Sequence, residues 1–336
     1  MPSIHSDDSR LSTSRPLQDL LYSASKYMRL GLAKSTIKAY DSAWYFFSSF
    51  CASLLLSPLP VDVSVVCAFI VFSFESRNLQ TQSIKAMLAG IQFHIRCQDP
   101  ASQSLLGNPS IQLLLNGLKK ARPPGNDKRL PLTISLVHKL VSRLRQGCFS
   151  PYIDTMLEAV LLMAFYGFLR CGEYTTRTLS FNSQHDLTFS DLSLEEHMYS
   201  IFLKHSKSDR SCQGTQIIIA KTNTTFCPFS SMMRYLQHRS PTLRSAPLFI
   251  IDGVKPMSRS WFALKLRDLC LSCGLPPERY SPHSLRIGAA TTAALHLPTS
   301  TLKSLGCWSS SAYQRYVRLH KKEILSAQKL MSSCTP

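Results

Sequence analysis

The chain has 336 residues, a hydrophobic fraction of 44% and a formal net charge of +18 at pH 7. This length allows two domains, and the composition is that of a globular protein rather than a disordered one. The excess of basic residues favours a polyanionic partner, most commonly nucleic acid, over a surface that is basic only for solubility. Both long apolar stretches, 63–74 and 159–169, fall short of the about 20 residues that cross a bilayer, so no membrane span is expected.

The 11 cysteines are scattered through apolar segments, and the first residues of the chain are polar. This pattern indicates a reducing compartment in which the thiols are free and mostly buried. The pair Cys270 and Cys273 has metal-ligand spacing, but two further ligands at suitable spacing are missing. We therefore interpret the pair as helix-packing residues and expect no metal site.

The N-terminal region changes character within its first 35 residues. Residues 1–15 are rich in Ser, Asp and Arg and lack apolar periodicity, which predicts a disordered tail. A helix is predicted from Ser35 onward, with Ser35 or Thr36 as its N-cap. Its core face is marked by residues that recur at spacings of three and four, namely Ile37, Tyr40, Trp44, Phe47, Cys51 and Leu54.

Further helices are predicted after Asp62 and over residues 81–95 and 110–120. No strand pattern precedes residue 123, so residues 16–122 are predicted to form an all-helical domain. The prolines, glycine and charges of 123–131 then predict a linker.

The second domain is predicted to span residues 132–336 and to mix helices with a small antiparallel sheet. Thr133 caps a predicted helix that ends at Arg145, and a long apolar helix is predicted over 153–169. Two segments rich in β-branched residues, 199–204 and 215–219, are predicted strands separated by a polar turn. Helical patterns return from residue 228 to the end of the chain.

One motif stands out in this second domain. His283 and Arg286 are three residues apart, so they share one face of a helix. The small residues of 288–291 follow directly and would let another backbone or a ligand approach closely. Two basic side chains on one face beside such a run form a simple cradle for an anion.

The motif becomes specific because of the residues that precede and follow it in the sequence. Arg170 precedes it in the sequence FLRCGE, and Trp308 and Tyr316 follow it. This order, Arg, then His-x-x-Arg, then Trp, then Tyr, resembles the active site of the tyrosine recombinases, the phage-integrase family. The resemblance covers about residues 20–330. It implies a mainly α fold, with an all-helical, SAM-like core-binding domain followed by a mixed α+β catalytic domain.

The resemblance implies DNA strand cleavage and rejoining through a covalent 3′-phosphotyrosine, with no metal and no cofactor. Charge grows on the non-bridging oxygens in the transition state, and preset arginine forks suit that charge best. The implied catalytic residues are Arg170, Lys207, His283, Arg286, Trp308 and Tyr316. Glu173 is expected to orient an active-site group and to take no part in the chemistry.

The nucleophile has a rival one helical turn earlier, Tyr313. A phenol is mostly protonated at neutral pH and needs positive charge nearby to lose its proton. Tyr316 is preferred because its basic surroundings, in QRYVR, resemble those of the family. It follows Trp308 by eight residues, one fewer than in many relatives, so the choice between the two tyrosines stays open.

The leaving 5′ oxygen needs a proton, which in this family comes from a lysine on a β-hairpin. Lys207 lies in the polar turn between the predicted strands and is the preferred candidate. Lys204, at the end of the first predicted strand, is its rival.

Double-stranded DNA is the expected partner, and relatives act on two synapsed duplexes as tetramers, so a homotetramer is expected. The basic residues predicted to contact DNA are Lys34, Lys38, Lys119, Lys120, Arg122, Arg315 and Arg318. Segments 206–209 and 308–316 are most similar to recombinases of eukaryotic mobile elements, the Crypton and DIRS-like groups. That similarity implies a transposable-element enzyme in the nucleus, or in the cytoplasm of a non-eukaryotic host. A catalytically silent DNA-binding protein and a type IB topoisomerase are the alternatives.

Overall fold

The structure is a computed structural model that describes residues 16–123, 125, 127–206, 209, 213–239, 243–253, 255–318 and 325. The predicted tail 1–15 lies outside the described residues. The chain divides into two compact units, Met1–Asn126 and Asp127–Pro336, and the division falls inside the predicted linker 123–131.

The first unit is all helical over its described residues. Its helices are α1 (Leu17–Leu30), α2 (Lys34–Ser53), α3 (Val63–Glu75), α4 (Thr81–Gln98) and α5 (Pro109–Ala121). Helix α1 had no counterpart among the predicted helices. The core is aromatic and aliphatic, with Phe47, Phe69 and Ile91 almost fully buried. Phe47 and Cys51 of the predicted stripe are buried in this core, whereas Leu54 follows the end of α2 and is 51% exposed, so its assignment to the core face is wrong.

The first predicted helix starts one residue earlier than expected. Ala33 has an extended backbone, and its carbonyl accepts hydrogen bonds from the backbone N–H groups of Thr36 and Ile37. Ala33 is therefore the N-cap, and the prediction that Ser35 or Thr36 caps the helix is wrong. By contrast, the side chain of Asp62 caps α3 by accepting from the Ser64 N–H, as its position before that helix suggested.

The second unit surrounds a larger core with helices and strands. The helices are α6 (Ile134–Arg145), α7 (Pro151–Tyr166), α8 (Cys171–Tyr174), α9 (Pro228–His238), α10 (Arg259–Ser272), α11 (Pro282–Ala294) and α12 (Thr299–Leu305). The strands are β1 (Leu192–Leu194), β2 (Met198–Leu203), β3 (Thr215–Ala220), β4 (Ile250–Asp252) and β5 (Lys255–Pro256).

A three-stranded antiparallel sheet, in the order β1-β2-β3, contains both predicted strands and one that the sequence did not indicate. Tyr199 pairs with Ile219, so their buried side chains face the core from neighbouring strands. A separate two-stranded hairpin, β4-β5, interrupts the region after residue 228 that was predicted to be helical. The predicted fold class, mainly α with a small antiparallel sheet, is confirmed.

The buried helix α7 leads directly into the turn that positions Arg170. It starts at Pro151, after the Ser150 hydroxyl caps it, and ends at Tyr166 rather than at residue 169. The reason for the early end is the next turn, where Phe168 adopts a left-handed φ of 50° that a helix cannot contain. This turn delivers Arg170 to the start of α8. No helix among the described residues is long and apolar enough to span a membrane.

Candidate active site

Arg286 is the buried centre of the candidate site. It lies on α11 with only 2% of its surface exposed. Its Nη1 donates to the carbonyl of Phe168, and its Nη2 donates to the carbonyl of Gly306 at 2.7 Å. Two carbonyls from distant segments thus fix the plane of the guanidinium. The ammonium of a lysine has no such plane and could not be oriented in this way.

Both segments that hold Arg286 have a special backbone. Phe168, which supplies one acceptor carbonyl, and Cys307, which follows the other acceptor Gly306, are non-glycine residues with a φ of 50°. Gly306 has no room for a side chain, because an added Cβ would lie 2.0 Å from the Trp308 ring. Strained residues of this kind persist only where surrounding structure fixes them, and here they frame a single guanidinium.

The small-residue run after Arg286 serves the same packing. A Cβ on Gly288 would lie 1.7 Å from the carbonyl oxygen of Leu132. The close approach anticipated from the sequence is therefore made by the backbone of Leu132. That contact brings the segment before α6 onto the helix that carries His283 and Arg286.

Arg170 is held at the edge of the site by a carboxylate. It is the N-cap of α8, and its Nη1 donates to Glu173 Oε1 at 2.8 Å while its backbone N–H donates to Oε2 at 2.7 Å. Ser206, at the end of the β2 side of the hairpin, donates to the same Oε1 at 3.0 Å. Glu173 thus orients both Arg170 and Ser206. Its exclusion from the chemistry stays a prediction.

The guanidinium groups of Arg170 and Arg286 lie within electrostatic reach of each other. Burial first, and then the positive charge of Arg170, lower the pKa of Arg286. The charge of Glu173 acts in the opposite direction. An anion beside two cations offsets their repulsion, and Glu173 supplies such a charge through its ion pair with Arg170.

His283 stands at the start of α11, beside the predicted nucleophile. Its ring centroid is 5.3 Å from that of Tyr316. Burial, followed by the charges of Arg129 and Arg286, lowers the pKa of His283 to about 4. The imidazole is therefore neutral at physiological pH, with one N–H to donate and one nitrogen that can accept a proton.

The aromatic part of the site distinguishes the two tyrosines. Tyr316 lies 5.3 Å from both the Trp308 ring and the His283 ring, and the Arg286 Cζ is 5.5 Å from its centroid. Tyr313 lies 6.3 Å from the Trp308 ring, with the Lys303 ammonium 5.8 Å from its centroid. The ring that meets the histidine and the buried arginine is that of Tyr316.

Two buried donors of the site have no hydrogen-bond partner among the described residues. They are Arg286 Nε and the indole Nε1 of Trp308. The Arg286 Cζ is 4.7 Å from the Trp308 ring centroid, so both donors belong to one small region. Unpaired buried donors are costly and rare, and a bound phosphate is the kind of group that would satisfy them.

Of the two candidate lysines, Lys204 lies among the described residues and Lys207 does not. The Lys204 ammonium pairs with the buried carboxylate of Asp191 and donates to the carbonyl of Asp186 at 3.2 Å. It therefore anchors the hairpin base. Lys207, the preferred proton donor, lies outside the described residues, and its role stays a prediction.

The basic residues predicted to contact DNA are of two kinds in the structure. Lys34, Lys38, Lys119, Lys120 and Arg315 are exposed. Arg122 donates to the carbonyls of Phe74 and Leu79, and its Cζ is 3.9 Å from the Phe74 ring centroid. Arg318 pairs with Asp127 at 2.8 Å. These last two guanidiniums hold the protein's own groups, so their assignment to DNA is not favoured by the geometry.

Asp127 and Arg129 form an ion pair beside the site that was not predicted from the sequence. Asp127 accepts two hydrogen bonds from the Arg129 side chain, at 2.8 and 3.0 Å, and Arg129 is the largest charge acting on His283. Both residues fall in the predicted linker, where charged residues usually indicate solvent exposure. Among the described residues, no group of three or more His, Cys, Asp or Glu could hold a metal ion.

Comparison with known proteins agrees with this geometry. No protein-family model matches the chain. An integrase/recombinase xerD homolog from Selenomonas ruminantium is 22% identical over 280 residues, covering 81% of this chain and 77% of the relative.

Three solved structures share the fold at low sequence identity. The XerH site-specific recombinase, in a post-cleavage complex with its difH substrate, matches 86% of this chain and 76% of its own, with a TM-score of 0.60 and 15% identity. The Tn1549 transposon integrase, in complex with circular intermediate DNA, matches 92% of this chain and 98% of its own, with a TM-score of 0.58 and 15% identity. A lambda integrase tetramer bound to a Holliday junction matches 93% of this chain and 81% of its own, with a TM-score of 0.55 and 13% identity.

The chain thus has the fold of solved recombinases and integrases and is similar in sequence to one integrase/recombinase homolog, which supports a recombinase enzyme. Both kinds of likeness are to proteins of the integrase and recombinase type, and the site geometry described above is the one expected from the resemblance to tyrosine recombinases.

Proposed function

We propose that this protein cleaves and rejoins DNA strands, with Tyr316 as the nucleophile. The observation that carries the proposal is the convergence of three groups on the Tyr316 ring. The His283 and Trp308 ring centroids each lie 5.3 Å from that of Tyr316, and the Arg286 Cζ lies 5.5 Å from it. A second cation, Arg170, acts on Arg286 from the edge of this group. The arrangement is a positively charged pocket around one phenol.

The chemistry follows from these positions. The Tyr316 phenol loses its proton to the neutral His283 or to water as its oxygen attacks the scissile phosphorus. The bond to the 5′ oxygen breaks, and that oxygen leaves with a proton from Lys207. Charge that grows on the non-bridging oxygens is stabilised by Arg170 and Arg286. The product is a 3′-phosphotyrosine and a free 5′ hydroxyl. Attack of a 5′ hydroxyl on this intermediate reverses the step and restores a phosphodiester without a nucleotide cofactor.

The protein's assembly and biological setting form the finer part of the proposal. A homotetramer on two synapsed duplexes is supported by the lambda integrase tetramer of similar fold. A role in moving a transposable element is supported by the likeness to the Tn1549 transposon integrase. The similarity of segments 206–209 and 308–316 to Crypton and DIRS-like recombinases favours a eukaryotic element, and hence a nuclear location.

A suicide substrate tests the central claim. It is a duplex nicked just 3′ of the scissile phosphate, so that the short 5′-hydroxyl fragment diffuses away and the adduct is trapped. A library of such duplexes, taken from the DNA that flanks the gene, avoids the need for a known site. The wild-type protein should form an adduct that resists boiling in detergent and maps to the peptide containing Tyr316.

The variants Tyr316→Phe and Tyr313→Phe form a matched pair. The first should lose the adduct and keep its DNA affinity, and the second should retain the adduct. DNA binding without any wild-type adduct would indicate a silent DNA-binding protein instead. Relaxation of supercoiled DNA by a monomer, without joining of two duplexes, would indicate a topoisomerase.

A further inference from the structure

The segment just after the candidate nucleophile is tied down at two points. The buried hydroxyl of Thr291, on α11, donates to the Tyr316 carbonyl at 3.2 Å and accepts from the Arg318 backbone N–H at 3.0 Å. The Arg318 side chain then donates to Asp127 Oδ2 at 2.8 Å. One tie thus comes from α11 and the other from the start of the second unit.

Asp127 binds Arg129 as well as Arg318. Its Oδ1 accepts from the backbone N–H of Arg129 at 3.1 Å and from its Nε at 2.8 Å, and its Oδ2 accepts from Arg129 Nη2 at 3.0 Å. These bonds, the Arg129 side chain first, lower the pKa of Asp127 to about 2. The carboxylate therefore stays ionised across the physiological range and joins two guanidiniums from opposite ends of the unit.

The segment that carries Asp127 is itself fastened to the site. The Leu130 N–H donates to the carbonyl of Arg279 at 2.8 Å, and the Leu132 N–H donates to the carbonyl of Ser284 at 2.9 Å. Ser284 is the neighbour of His283 on α11. The carboxylate is therefore presented from a backbone that is fixed relative to the residues facing the phenol.

We propose that Asp127 is a positioning residue for the nucleophile, because it ties Arg318 to the fixed segment 128–132 and so holds the Tyr316 ring against His283 and Arg286. The inference rests on the proposed function, since it takes Tyr316 as the nucleophile. Asp127 itself does not contact the reacting atoms. A displacement of the phenol by even about 1 Å lowers the rate of an in-line attack strongly.

Because Asp127 is negatively charged, its replacement should affect DNA affinity and cleavage rate differently, whereas general misfolding would lower both. Asp127→Asn removes a negative charge, so the affinity for DNA should stay equal or rise. The same change loosens the Tyr316 segment, so the single-turnover rate of adduct formation should fall by about five- to tenfold. In this one variant the DNA affinity should thus stay equal or rise while the cleavage rate falls. Asp127→Glu, which keeps the charge, should recover most of the rate.

Asp252→Asn is the matched control, because Asp252 is an exposed carboxylate that pairs with Lys255 across the β4-β5 turn. It removes the same charge and should leave the cleavage rate unchanged. The double variant Asp127→Asn with Arg318→Gln should be no slower than the slower single variant, since both break one tie.

Hydrogen exchange tests the tie without any need for cleavage. The Arg318 amide bonds to Thr291, and the peptide covering 311–318 should exchange faster in Asp127→Asn than in the wild type or in Asp252→Asn. If the wild-type protein forms no adduct, the proposed function fails while this measurement still decides whether the tie exists. Unchanged exchange, a cleavage rate at or above wild type, or a parallel loss of DNA affinity and cleavage would each overturn the inference.

Discussion

The guanidinium of Arg286 faces the ring of Tyr316, with its Cζ atom 5.5 Å from the ring centroid. The arginine cannot swing away, because its two terminal nitrogens are occupied by carbonyls of Phe168 and Gly306. A fixed cation beside a phenol favours the phenolate and stabilises the charge that develops on a bound phosphate. The two residues therefore form the core of the proposed chemistry.

Replacing Arg286 by lysine keeps the charge and removes the fork. An ammonium can reach one of the two carbonyls, so the other is left unsatisfied at a cost of about 1–3 kcal/mol in the free energy of unfolding. Adduct formation should slow by at least about 100-fold, the usual loss when one preset donor is removed. Single-turnover kinetics and urea unfolding measure the two effects separately. Arg267→Lys, at an exposed position on α10, should change neither.

The indole N–H of Trp308 should matter apart from its ring. Trp308→Phe retains an aromatic group between Phe168 and Tyr316 but removes the buried donor that has no partner among the described residues. We expect about a tenfold slower adduct formation with the DNA affinity nearly unchanged. Trp308→Ala should instead lower the free energy of unfolding by about 3–5 kcal/mol, because it also opens a cavity. A full-rate Trp308→Phe enzyme would show that the tryptophan only packs.

Much of the fold and of the site could be read from the sequence, because local patterns determine them. The aromatic stripe of α2 has helical spacing, and the fixed interval between His283 and Arg286 places both on one face of α11. The β-branched segments predicted β2 and β3 for the same reason. In each case the periodicity of the chain carries the information.

The remaining features depend on contacts between distant segments. Whether Tyr313 or Tyr316 meets the arginine depends on the 3-10 helix Ser311–Arg315, whose phase the sequence did not reveal. Arg122 and Arg318 are of the residue type that contacts DNA phosphates, yet their guanidiniums bind groups of the protein itself. Asp127 was read as part of a linker because nothing in its neighbourhood along the chain indicates a partner 191 residues away.

The pKa of His283 offers a test of the electrostatics. After burial, the charge of Arg129 is the strongest cause that lowers this pKa to about 4. Arg129→Gln should therefore raise the pKa of His283, and histidine Cε1 signals followed by NMR across pH 3–8 would show it. Burial remains in the variant, so the pKa should stay below the usual value of about 6.5. Arg267→Gln, which removes an exposed charge, should leave it unchanged.

The same shift predicts how stability depends on pH. Between about pH 6.5 and pH 4 the unfolded chain binds a proton at residue 283 that the folded protein does not. The free energy of unfolding should consequently fall as the pH falls through that window. His283→Gln should remove about one proton from the slope, and urea titrations at several pH values would measure it. An identical slope in the variant would contradict the low pKa.

The two hairpin lysines can be separated by the substrate rather than by the protein alone. If Lys207 protonates the leaving 5′ oxygen, Lys207→Ala should slow cleavage of ordinary DNA by about 100-fold or more, within the range of general acid catalysis. A substrate with sulfur in place of that bridging oxygen has a leaving group that needs no proton, so it should restore the rate of the variant. Lys204→Ala should behave differently, because it leaves the buried Asp191 carboxylate without its cation. Its main effect should be a lower free energy of unfolding, and the sulfur substrate should give it no special advantage. Rescue of Lys204→Ala, with no rescue of Lys207→Ala, would reverse the two assignments.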